Sequence, residues 1–253
     1  MTPAELKKRR RYLGGSEIAA VRGHSPFTTA AQLWDEKMGR AAPKESSFAM
    51  NVGIYLEDGA AKLFHSQKYT NCKMKKHKPL VHPIHGFMRA SPDRILYNME
   101  EHPEDGHEFW YPCAGLEIKC ISDFSAKAGG WGRSGSQEYP IYYKDQCAWN
   151  RMIFDLPVWN LIALVADGKW GLKCYVYKKD EAYEAELVRD ALNFWNNNIL
   201  AGVRPEEKPV HRLTSPDAQD IVSAKLPAIA PAWMTDEESP ITQYATELPK
   251  ETT

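Results

Sequence analysis

The chain has 253 residues, enough for one sizeable domain and an appendage. Its 32 lysines and arginines against 33 acidic residues leave a formal charge of −1, so global charge argues for no nucleic-acid partner and any such contact must come from local basic patches. The apolar runs are too short to cross a bilayer, no apolar signal segment follows the basic start, and the five scattered cysteines form no CxxC pair, which points to a reducing cytoplasm and away from zinc, iron–sulfur or disulfide frameworks.

In chain order, residues 5 to 11 are basic and read as helical or extended. Gly14-Gly15-Ser16 then runs into an Ala/Ile-rich segment, which makes Ser16 an N-cap. The free N–H groups of such a helix start, with Arg9 to Arg11 just ahead, suit a phosphate as well as an ordinary capped helix. Gly23 to Phe27 is a turn, and Thr29 to Lys37 reads as a second helix with Leu33 and Trp34 inward. Ser46 to Phe64 carries Val52, Tyr55, Leu56, Ala60, Leu63 and Phe64 at helical spacing. Glu57 falls among these apolar positions, where a carboxylate is costly unless paired or bound to metal. Lys73 to Lys78 is basic and reads as a DNA-backbone contact or as a solvated loop or edge strand. His82 to Gly86 is a turn whose two histidines lack a third soft ligand nearby.

Leu116, Ile118 and Cys120 alternate with Glu117 and Lys119, the pattern of a half-buried strand. Ser91-Pro92-Asp93 stands just ahead of Ile95-Leu96-Tyr97, which suits a hairpin presenting Asp93 beside Glu117, with residues 100 to 108 as its acidic loop. Two carboxylates on adjacent strands suit a hard divalent cation such as Mg²⁺, and a lysine beside it can orient water or offset charge; a solvated ion pair is the bland reading of the same residues. Ser122 to Tyr139 is a Gly/Ser-rich loop, and Tyr142 to Phe154 a helix with Gln146 one turn from Tyr142 and Tyr143. Val158 to Ala166 and Leu172 to Lys178 are strands around an Asp167-Gly168 turn, and Asp180 to Leu200 is the last helix. From Val203 onward prolines recur and the end is acidic, so the division is a domain over 1–202 and an extension over 203–253. The order predicts a mixed α/β core with a small central sheet flanked by helices.

Asp93 and Glu117-x-Lys119, with Glu57 on a preceding helix, resemble the PD-(D/E)XK nuclease superfamily, and within it the phage-type alkaline exonucleases, the lambda exonuclease and its YqaJ-like relatives. Leu13-Gly14-Gly15-Ser16-Glu17-Ile18 is similar to that family's N-terminal motif, Gly53-x-x-x-Glu57-x-x-Ala60 to its helix motif, and Pro140 to Gln146 to its Tyr-x-x-Gln helix. The resemblance implies a restriction-endonuclease-like fold and a 5′→3′ exonuclease on double-stranded DNA ends that leaves 3′ overhangs for single-strand annealing. It implies Mg²⁺ or Mn²⁺ on Asp93, Glu117 and the Ile118 carbonyl, with Glu57 holding a water or a second ion. Lys119 would position the attacking water and steady the developing negative charge, and Gln146 would help orient that water or Lys119. Arg9, Ser16 and Ser91 are placed like the family's 5′-phosphate pocket, Arg10 or Arg11 being open alternatives to Arg9, and Met50 like a wedge between terminal base pairs. A trimeric ring and an annealing protein are the implied partners, and the setting is cytoplasmic, that of the bacterial host if the protein is phage-encoded. Arg94 departs from the glycine of many relatives. An endonuclease of restriction or repair type, and a DNA-end-binding module without catalysis, are the competing readings; the intact Glu57, Asp93, Glu117 and Lys119 set opposes the second.

Overall fold

The computed structural model describes residues 3–42, 47–101, 107–166 and 170–208. The expectations for Ser46, for 102–106 of the acidic loop, for the Asp167-Gly168 turn and for the extension from residue 209 lie outside the described residues. The elements are α1 (Pro3–Arg9), β1 (Leu13–Gly14), α2 (Ile18–Val21), α3 (Ala30–Lys37), α4 (Phe48–Lys68), β2 (Lys73–Lys75), β3 (Leu80–Val81), β4 (Met88–Ala90), β5 (Arg94–Glu101), β6 (Glu108–Ser122), α5 (Asp123–Ala128), α6 (Ile141–Phe154), β7 (Val158–Ala166), β8 (Gly171–Lys178) and α7 (Glu181–Phe194), which runs on into a π-helical turn, Trp195–Leu200. Among the described residues no helix is long and apolar enough to cross a membrane.

The main sheet has the order β2-β5-β6-β7-β8. β6 and β7 are parallel and the other neighbours antiparallel. A parallel pair needs a crossover, and the chain between β6 and β7 supplies it with α5 and α6. The mixed sheet flanked by helices is the predicted fold class.

The alternation of β6 sorts its side chains onto two faces. Leu116 and Ile118 pack with Ala60, Ala61 and Phe64 of α4. The opposite face is covered by Cys147, Ala148, Trp149 and Ile153 of α6, with α7 beyond, over Leu161 and Ala163 of β7. β5 follows the same rule: Ile95 joins the α6 side and Leu96 the α4 side. These two cores place α4 and α6 on opposite sides of one strand, which decides which helix each polar residue of β5 and β6 meets.

Gly115 explains why the central motif begins with glycine. It lies opposite Trp159 on β7, and a Cβ there would stand 2.1 Å from the fully buried indole. We expect Gly115→Ala to lower stability by about 1–3 kcal/mol through overpacking, read as a drop in thermal midpoint.

Several expectations are corrected. Leu13 and Gly14 pair in parallel with Met88 and Arg89, so this segment is extended; Ser16 lies in the following turn, and Glu17 is the residue before the short α2, with no side-chain cap. On α4 the periodic positions are not all inward, since Tyr55 is 84% and Leu63 40% exposed, because the helix meets the sheet through Ala60, Ala61 and Phe64. The Ser122 to Tyr139 loop contains α5, capped by the Ser122 hydroxyl, which accepts from the Ser125 amide. A second, three-stranded sheet of order β1-β4-β3 was not anticipated. Past residue 202, Arg204 pairs with Asp35, and the Thr29 hydroxyl donates to Glu207.

Candidate active site

β5 begins at Arg94, which lies opposite Leu116. Directly opposed residues share a face, so Arg94 turns toward α4, and Asp93, one residue earlier, turns toward Glu117. Asp93 Oδ2 accepts the Ile118 N–H at 2.7 Å. In an extended strand the N–H and C=O of one residue leave on the same side, so the Ile118 carbonyl also points beyond the end of β5.

Glu117 is 2% exposed and held on three sides. Its Oε1 accepts from Lys119 Nζ at 2.6 Å and from Gln146 Nε2 at 2.7 Å, and its Oε2 from Asn150 Nδ2 at 3.3 Å. The hydrogen bond of Gln146 thus goes to Glu117. Asn150 was missed in the sequence, although it stands one helical turn beyond Gln146 and so on the same face. It also sits under the Gly-Gly-Ser turn: a Cβ on Gly15 would stand 2.6 Å from Asn150 Oδ1.

The electrostatics follow from burial. Desolvation, the neighbouring Glu117 and the charge of Glu57 push the Asp93 carboxyl up to about 8, against the opposing pull of Lys119 and the Ile118 amide. Burial pulls the Lys119 ammonium down, but Glu117, Tyr143 and Asp93 outweigh it, and its pKa stands above the ordinary value. Lys119 Nζ lies 4.9 Å from the Tyr143 ring centre. These neighbours hold the lysine in its charged form.

Glu57 is close enough for its charge to act on Asp93, but its hydrogen bond goes to Arg94. It approaches from the α4 side, and its Oε1 accepts from Arg94 Nη1 at 2.9 Å. Among the described residues no three His, Cys, Asp or Glu side chains gather to hold a metal. The donor set nevertheless fits Mg²⁺ or Mn²⁺: once Asp93 has given up its proton, two carboxylates with one lysine leave surplus negative charge, and an outward carbonyl adds a third oxygen. Mg²⁺ characteristically takes one or two carboxylates and keeps its other positions for water and substrate phosphate.

The predicted phosphate residues come together in part. Arg9 Nη2 donates to Ser16 Oγ at 3.3 Å, while Arg9 Nε pairs with Glu17 at 3.1 Å. Lys37 supports them from below, its ammonium 2.6 Å from Glu17 and donating to the Arg9 and Tyr12 carbonyls. Because β1 and β4 are parallel neighbours, Ser16 and the exposed Ser91 both emerge beyond their C-terminal ends. Met50 is exposed on α4, and the two turn histidines stack on each other, His82 Nδ1 accepting the Ile84 and His85 amides.

Residues 6–155 match the YqaJ-like viral recombinase domain, more than half of the chain. The chain belongs to the YqaJ-like viral recombinase domain family. Over 204 residues it is 27% identical to the uncharacterized protein YqaJ of Bacillus subtilis (strain 168), covering 79% of this chain and 57% of that relative's length. This YqaJ-like chain also shares its fold with the alkaline exonuclease LHK-Exo of Laribacter hongkongensis, at a TM-score of 0.57 and 16% identity, over 80% of this chain and 94% of that one. A structure of LHK-Exo in complex with dAMP matches equally, with a TM-score of 0.57 at 16% identity over the same shares. The family match spans the Gly-Gly-Ser turn, Glu57, Asp93, the Glu117-x-Lys119 strand and Gln146.

Proposed function

We propose that the protein is a metal-dependent 5′→3′ exonuclease that acts on double-stranded DNA ends and leaves 3′ single strands for annealing recombination. The observation that carries this reading is the gathering of Asp93, Glu117 and Lys119 around the outward Ile118 backbone at the end of β5. Family membership and the shared alkaline-exonuclease fold support it.

Asp93, Glu117 and the Ile118 carbonyl would hold Mg²⁺ or Mn²⁺, which when bound polarises a phosphodiester and makes water a better nucleophile. Lys119 orients the attacking water and offsets negative charge developing on the phosphate. Gln146 and Asn150 fix the Glu117 carboxylate, so the strand and α6 keep one spacing during the reaction. Arg9, Ser16 and Ser91 receive the 5′-phosphate of the strand being digested. The exposed Met50 side chain is suited to part the terminal base pair. In this reading the protein works in a bacterial host cytoplasm as a trimeric ring on DNA, beside a single-strand annealing protein.

The test uses one linear duplex with a 5′-phosphate, the same duplex with a 5′-hydroxyl, and a closed circle, each with Mg²⁺. The expected result is rapid loss of the phosphorylated 5′ strand, slower loss of the hydroxyl form, an intact circle, and no reaction in a chelator. Arg9→Ala should lose the preference for phosphate and lower the rate on the phosphorylated end by about tenfold, the effect of roughly 1.4 kcal/mol on a charged contact. Cutting of the circle assigns an endonuclease instead, and silence on all three substrates with both metals overturns the enzyme reading.

A further inference from the structure

Arg94 has a job that the hydrolysis scheme above does not use. It is 3% exposed, yet its guanidinium meets three oxygens from two elements. Nη1 donates to Glu57 Oε1 at 2.9 Å and to the Asp93 carbonyl at 2.5 Å, and Nη2 donates to Asp58 Oδ1 at 2.8 Å. The cation is the buried partner: its side chain is 4% exposed, against 33% for Glu57 and 53% for Asp58. A buried guanidinium cannot shed its proton, so it requires anions around it and neutralises them permanently.

Two carboxylates and a backbone carbonyl, converging from α4 and the start of β5, are the oxygen donors a hard divalent ion would take. Here a side chain of the protein fills their midst. Glu57 lies near enough to Asp93 for its charge to act on that carboxyl. Without Arg94, Asp93, Glu117, Glu57 and Asp58 would face Lys119 and the surface Lys62, which pairs with Asp58 at 2.8 Å. Such a surplus of negative charge would draw in a second divalent ion.

We propose that Arg94 is a resident cation that takes Glu57 and Asp58 out of metal binding and limits the site to one divalent ion per chain. The proposal rests on the reading of Asp93 and Glu117 as metal ligands and deepens it: the resemblance left a second ion open at Glu57, and Arg94 closes that option. Glu57 then becomes an anchor for β5. By gripping Glu57, Asp58 and the Asp93 carbonyl together, Arg94 ties α4 to the residue that carries the metal-binding carboxylate.

Equilibrium dialysis against Mn²⁺, with the bound ion counted by electron paramagnetic resonance, tests this without any turnover. The full chain should bind one Mn²⁺, and Glu57→Gln should still bind one, with an affinity changed less than about threefold. Arg94→Gln should bind a second ion, and Arg94→Lys, which keeps a cation, should remain at one. Two ions on the unaltered chain, a lower count in Glu57→Gln, or a count of one in Arg94→Gln overturns the proposal. Should Arg94→Gln fail to fold, the counts on the unaltered chain and Glu57→Gln decide alone. No ion on the unaltered chain, or an ion retained by Asp93→Asn, overturns instead the metal reading on which the proposal stands.

Discussion

Lys119→Ala is expected to lower the rate of strand hydrolysis by about 10²–10⁴-fold, the range for removal of a positioned proton-transfer or charge-stabilising group. The Lys119 ammonium is 2.6 Å from Glu117 and is kept charged by Glu117, Tyr143 and Asp93 against its burial. It therefore contributes as a donor whose value rises as charge develops on the phosphate, and its loss should fall on the chemical step rather than on DNA binding. Glu117 keeps Gln146 and Asn150 in the variant, so the fold should persist. Single-turnover cleavage of a 5′-labelled duplex at saturating Mg²⁺ measures the loss, and the Mn²⁺ count should stay the same. Full activity in Lys119→Ala would assign the chemistry to other residues.

Asp93→Asn should abolish both activity and the response to metal while making the metal-free protein more stable at alkaline pH. The folded carboxyl is raised to about 8 from 3.8, so the native state binds this proton more tightly than the unfolded chain. Asp93 therefore costs nothing below about pH 4, removes stability progressively as pH rises to about 8, and exerts its full cost above that. An asparagine oxygen can still accept the Ile118 N–H and carries no charge, so the variant should lose this pH dependence. Metal acts in the opposite sense. Below pH 8 a proton competes with the ion for Asp93, so Mg²⁺ should raise the thermal midpoint more at pH 8.5 than at pH 6, and not at all in Asp93→Asn. Thermal melts at the two pH values, with and without Mg²⁺, measure all four cases. A metal-dependent shift that survives in Asp93→Asn would remove Asp93 from the ligand set.

The parts legible in the sequence were those written in local pattern. β7 is nine residues long and apolar except for Asn160, and β6 and α6 carry clear periods of two and of three to four, so these elements and their polar residues could be read one by one. The small sheet was invisible because β1, β3 and β4 are two or three residues long, too short to show a period, and β1 exists only by pairing with β4 some seventy-five residues later. The destination of Glu57 was hidden for a different reason. Its helical position was readable, but its partner depended on Arg94 facing α4, a fact of sheet register and not of spacing. Asn150 was likewise assigned by what lies across from α6. Tyr55 shows the limit of helical periodicity, which marks an apolar stripe without saying how much of it meets a neighbour.

The early end of β5 gives the site its character. Pro92 has no N–H to offer a neighbouring strand, so the ladder with β6 stops at the Arg94–Leu116 pair. The next rung is supplied by a side chain, with Asp93 taking the Ile118 N–H that a backbone carbonyl would otherwise hold. The candidate centre is thus a place where the sheet is one hydrogen-bonded pair short, and the Ile118 carbonyl is a main-chain oxygen that regular pairing would have consumed. Were β5 to start at position 92 with a residue that carries an N–H, Ile118 would be fully engaged within the sheet and the opening would be sealed. In this protein a strand that ends on time is as much a part of the chemistry as the residues that face it.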